Sequence, residues 1–152
     1  MGSPSKDLVE TEGALRVIIE HLIDAQETLQ KIGDEIKNEP LKRHFLAESL
    51  QRAEFRGELE NILHQEGVRD LHETGTTAGA VARAWTSLKT KLGAGDHALQ
   101  ATAEESERSV LDAYADALKK DLPLPVRQVL ATQAAHIRQS CDYVGAAHDS
   151  SA

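Results

Sequence analysis

Glu104 and Glu107 stand three residues apart in TAEESERSVLDAYADAL, Thr102 to Leu118, a stretch whose apolar residues recur at helical spacing. On a helix that interval stacks the two carboxylates on one face, where they can share a divalent cation or face water. His136 and Glu48 are the other side chains that could join them as ligands. Glu48 has a second reading, because Arg52 follows it by four residues, the favourable orientation for an acid–base pair along a helix. His44 precedes Glu48 by four, a ligand spacing with a peripheral helical phase. Cys141 falls on an apolar helix face with no base in register, and reads as a small buried hydrophobe rather than a nucleophile. No glycine-rich phosphate loop or nucleophile elbow is present, and no catalytic residue is assigned.

A paired iron or manganese centre inside a four-helix bundle asks for more than two carboxylates. It draws one inward Glu from each of two helices and a Glu-x-x-His pair from each of the others. Neither Glu-x-x-His nor Asp-x-x-His occurs anywhere in the chain. Helical phase turns Gln26, Glu107 and Gln133 inward, sets His136 at the edge of its seam and leaves Glu104 nearer the solvent boundary. One carboxylate between two amides falls short of what two dications need, whereas amides can hydrogen-bond a lone buried carboxylate. The expectation is therefore no cofactor, with iron or manganese held by Glu104, Glu107, His136 and Glu48 as the alternative.

The elements that position these residues are helical throughout. Leu15, Ile18, Leu22, Ala25, Leu29, Ile32 and Ile36 alternate at gaps of three and four, which predicts a first helix. Asn-Glu-Pro at 38–40 ends it, since Pro40 disfavours helical geometry at Glu39 yet fits the first turn of a second helix running to about Glu66, with Gly67 as its stop. The short break predicts an antiparallel hairpin. A third helix begins near Asp96, read as its N-cap. A fourth has Pro125 in its first turn and buries Val126, Val129, Leu130, Ala134, Ile137, Cys141 and Val144 before Gly145. Between Gly67 and Gly95 lies a connector with its own stripe, Ala78, Val81, Trp85, Leu88 and Leu92. Nearly thirty residues exceed the usual bundle loop, so a crossover along the bundle carrying a short extra helix is expected, against a plain up-down bundle with an elaborate loop. Trp85 reads either as packing this connector onto the bundle or as anchoring a partner.

Composition bounds the rest. The 152 residues, 40% of them hydrophobic, suit a single domain, with 1–6 and 148–152 as tails. A net charge of −8 disfavours nucleic acid and anionic membrane surfaces as partners. A lone cysteine and the lack of an apolar export or spanning segment fit the cytoplasm.

RAWTSLK at Arg83 to Lys89, DHALQATAEESE at Asp96 to Glu107, AYADAL at Ala113 to Leu118 and RQVLATQAAHIRQSCD at Arg127 to Asp142 resemble a bacterial family of uncharacterised ferritin-like four-helix-bundle proteins. The resemblance covers most of the chain from Leu15. Members commonly carry Glu-x-Gly-Glu where this chain has Glu104-Glu105-Ser106-Glu107, and a histidine is the family's expected residue at Cys141. The resemblance implies a fold, all-α and ferritin-like, and no activity. The combined expectation is a non-catalytic bundle acting by self-assembly, as a dimer or larger homo-oligomer, or by partner binding; the alternative is a metal-binding relative with an incomplete or shifted site.

Overall fold

The computed structural model describes residues 6–68 and 95–150, in which four helices and no strand occur: α1 (Lys6–Glu35), α2 (Glu39–Gln65), α3 (Gly95–Leu118) and α4 (Leu124–Ser150). The chain is all-α. The expected connector helix and Trp85 lie outside the described residues. Among those described, no helix is long and apolar enough to cross a membrane.

Each boundary follows from local chemistry. Asn38 sits at φ −64° and ψ 114°, and its side-chain oxygen accepts the Leu41 amide at 3.0 Å, capping α2 with Pro40 in the first turn. At the other end Gly67 takes φ +94°, its amide bonds the His64 carbonyl at 3.0 Å, and the Val68 amide bonds the Leu63 carbonyl at 2.9 Å. That pair of bonds is a Schellman closure, and Val68 packs back on the core as such closures require.

Three boundaries differ from the sequence reading. α1 starts well before Leu15, because Thr11 and Ala14 are buried and extend the seam. α4 runs through Gly145 to Ser150, since burial of Val144 and packing of Ala147 outweigh the roughly 1 kcal/mol that a helical glycine costs. Asp96 is inside the first turn of α3, not capping its own helix; its carboxylate accepts the backbone amides of Lys37 and Asn38, both at 2.9 Å.

The core falls into two apolar clusters. Leu29, Ile32, Ile36, Leu41, Phe45, Ala103 and Val144 gather the end of α1, the starts of α2 and α3 and the end of α4. Leu15, Ile18, Leu59, Leu63, Ala117, Leu122 and Val126 belong to the cluster at the opposite end. α2 and α3 therefore run in the same direction, and both are antiparallel to α1 and α4. α1 packs broadly on α2 and on α3, and α4 on α3, while α2 meets α4 only lightly. The tightest approach is at Gly33, where a Cβ would lie 2.7 Å from Leu46 Cδ2.

Candidate functional site

A polar layer separates the two clusters. On α2 it falls between Phe45 and Phe55, on α3 between Ala103 and Val110, and on α4 between Ile137 and Val144. Its pivot is Arg52, whose side chain is 0% exposed and is the largest fully buried one among the described residues. A guanidinium so placed loses its hydration, at an effective cost of several kcal/mol, and needs anionic neighbours. It has two. Arg52 Nη1 donates to Glu48 Oε1 at 2.9 Å, and Nη2 donates to Glu107 Oε2 at 2.5 Å.

The network continues across the lightly packed α2/α4 seam. His136 Nε2 lies 3.0 and 3.1 Å from the two carboxylate oxygens of Glu48. His44 Nε2 lies 3.0 Å from Ser140 Oγ, and its ring leans on Tyr143 with centroids 4.5 Å apart. Phe55 meets the His136 ring edge to face. Nearer α1, the Ser49 hydroxyl donates to the Gln26 carbonyl at 2.9 Å.

Burial and charge pull the carboxyls in opposite directions. Burial raises Glu107 above the ordinary carboxylate value; Arg52 opposes this, Glu48 adds to it and Ser140 opposes it. For Glu48 burial also pushes upward, but Arg52 and His136 outweigh it and hold the group below its ordinary value. His44 is lowered, by burial first, with Arg52 and His136 adding like charge and Glu48 opposing. Two buried polar atoms of the layer, Arg52 Nε and Glu107 Oε1, have no hydrogen-bond partner among the described residues.

The four metal-ligand candidates thus separate. Glu48 and Glu107 come together through Arg52, and His136 joins directly at Glu48. Glu104 does not join them: its Oε2 is 3.6 Å from Arg108 Nη2, and with Arg108, Cys141 and Asp142 it lines a cleft between α3 and α4. Among the described residues no group of three or more His, Cys, Asp or Glu side chains is arranged to hold a metal ion. A paired-metal centre does not fit this donor set, because a fixed cation already binds both inner carboxylates and would repel a dication placed between them.

Other expectations need correction. Gln133 is buried, but it serves Tyr114, whose hydroxyl donates to Gln133 Oε1 at 2.6 Å; its amide donates to Glu58 Oε2 at 3.1 Å and the Phe55 carbonyl at 3.4 Å. Gln26 is only half-buried. An arginine, not a pair of amides, accompanies the buried carboxylate. Cys141 is half-buried rather than buried, and burial with the nearby Glu107 charge pushes its thiol above the ordinary range, so it is a poor nucleophile. The residue underestimated in the sequence was Arg52. Its signal was present: a charged side chain in the apolar phase of α2, with an inward Glu on another helix.

A family profile described as a domain of unknown function, DUF2383, matches residues 10–120. That span contains Glu48, Arg52 and Glu107, and stops before His136. A search of curated proteins found no match.

Proposed function

Taking as premise that the chain belongs to the DUF2383 family, we propose that it is a non-catalytic, ferritin-like helical bundle that acts by self-assembly or partner binding. The observation that carries this reading is the Arg52 guanidinium seated between Glu48 and Glu107, at the level where a metal-bearing bundle would hold its ions. One internal cation bridges the two inner carboxylates, so neither is held free for a metal ion. One hydroxyl does have a base beside it, Ser140 Oγ at 3.0 Å from His44 Nε2, but Ser140 is buried.

The ferritin-like arrangement is supported by the parallel course of α2 and α3. The end of α2 and the start of α3 fall at opposite ends of the bundle, as that arrangement requires. Within the proposal the protein is cytoplasmic and homo-oligomeric, takes no cofactor, and uses neither nucleic acid nor membrane as partner, in keeping with its net charge of −8.

Elemental analysis of protein purified without chelator, followed by titration with iron(II) and manganese(II) under anaerobic conditions, tests the reading. The expected result is substoichiometric metal and no saturable heat or shift in melting temperature. Stoichiometric iron or manganese, lost on Glu107→Ala, would establish the metal-binding alternative instead.

A further inference from the structure

We propose that the outward face of α2 is the contact of a two-fold dimer, its occupant a second copy of this chain packed antiparallel and centred on Leu50. The proposal names the partner for the assembly role above and rests on that reading. Arg43, Ala47, Leu50, Glu54, Gly57 and Asn61 are all exposed and follow one another at gaps of four, three, four, three and four, the spacing of a helix–helix seam. α2 thus has a buried inner face and an exposed outer one. The inner one, through Leu41, Phe45, Arg52, Phe55, Leu59 and Leu63, is buried in the bundle.

Leu50 is 70% exposed, the most exposed large hydrophobic side chain among the described residues. Gly57 is equally unexplained by the single chain. A glycine inside a helix costs roughly 1 kcal/mol relative to alanine, and a Cβ at Gly57 would meet nothing within 4 Å. The contrast with Gly33, which a Cβ would drive into Leu46, shows what an intramolecular reason looks like. Within the proposal, the missing side chain at Gly57 leaves room for a side chain of the second copy.

Charge selects the occupant. The face is basic toward the start of α2, at Arg43, and acidic past its middle, at Glu54, and neither residue forms an ion pair among the described residues. A parallel copy would set Arg43 against Arg43 and Glu54 against Glu54. An antiparallel copy with Leu50 on the two-fold axis sets apolar on apolar. Arg43 then comes opposite Gly57 of the second copy, both being equally distant from Leu50 in sequence, with Glu54 of that copy one turn away. The long side chain meets the glycine and reaches the acid. Because the same patch serves both copies, the assembly closes at two.

Sedimentation equilibrium of the full chain over a wide concentration range tests this. The wild type is expected to move from one chain to two, and Leu50→Glu to weaken association about 30-fold, as for a central interface anchor, with helicity and melting of the monomer unchanged. Arg43→Glu and Glu54→Arg should each weaken the dimer, and the double variant should restore it. A wild type that stays monomeric, a dimer indifferent to Leu50→Glu, or charge reversals without mutual rescue would each overturn the proposal. So would a Leu50→Glu monomer with lowered melting, which would mean that the face already serves the fold of the single chain. Metal content decides the preceding reading separately, whatever the mass proves to be.

Discussion

Arg52 of α2 and Glu107 of α3 meet at 2.5 Å across the centre of the bundle, joining two parallel helices that share no broad packing surface. Both side chains are essentially inaccessible to solvent, so each depends on the other for the interaction that water would have supplied. Removing one partner of such a pair costs about 3–5 kcal/mol, whereas replacing both by apolar groups of similar volume is often neutral or stabilising. Arg52→Met should therefore lower unfolding free energy by an amount in that range. Arg52→Met combined with Glu107→Leu should recover most of it. Urea denaturation of the three proteins checks this, and a single variant as stable as the wild type would refute the buried pair.

The seam between α2 and α4 should respond to pH through His44. Its folded value lies below the ordinary 6.5, so the unfolded chain binds the proton more readily than the native one. Stability from this group is fully present above 6.5 and is lost as pH falls through the folded value. Glu48, also lowered, acts in the same direction below its ordinary 4.5, while Glu107, raised, acts in the opposite one. His44→Gln isolates the histidine. The stability difference between wild type and variant should shrink as pH falls from 7 toward 5, measured by chemical denaturation at each pH. A constant difference would show that His44 titrates alike in both states.

Two glycines of α1 should answer the same substitution with opposite sign. Gly13→Ala places its methyl in open space and should stabilise the protein by up to about 1 kcal/mol. Gly33→Ala brings Cβ within 2.7 Å of Leu46 Cδ2 and 3.3 Å of the Leu46 backbone nitrogen, so Leu46 and the helix pair must shift, at a cost of about 1–3 kcal/mol. Thermal melts of the two variants give the comparison directly.

Tyr114→Phe should cost about 1–3 kcal/mol although it removes a single oxygen. The hydroxyl is the donor to Gln133 Oε1, and its loss leaves that buried acceptor without its partner. Adding Gln133→Leu should offset part of the loss, a coupling that a double-mutant cycle reads.

The helices were legible in the sequence because apolar spacing and the punctuation at Pro40, Gly67 and Pro125 are local signals. All seven residues of the predicted first seam, from Leu15 to Ile36, are buried. What escaped was non-local. Phase alone turned Glu107 inward correctly but could not pair it with Arg52, fifty-five residues away on another helix. Gln133 was likewise placed inward and assigned the wrong neighbour, since phase fixes direction and not axial level. The end of α4 was misjudged because Gly145 is a stop signal only where tertiary packing does not carry the helix past it.

The carboxylate of Asp96 holds two amides from the turn between α1 and α2, although almost sixty residues separate them in the chain. Those two protons therefore report on an event elsewhere: they become slow to exchange with deuterium only once the second half of the chain has docked on the first. Lys37 and Asn38 are in that sense built-in spies, and in Asp96→Ala their exchange should quicken while amides in the middle of α1 keep their protection.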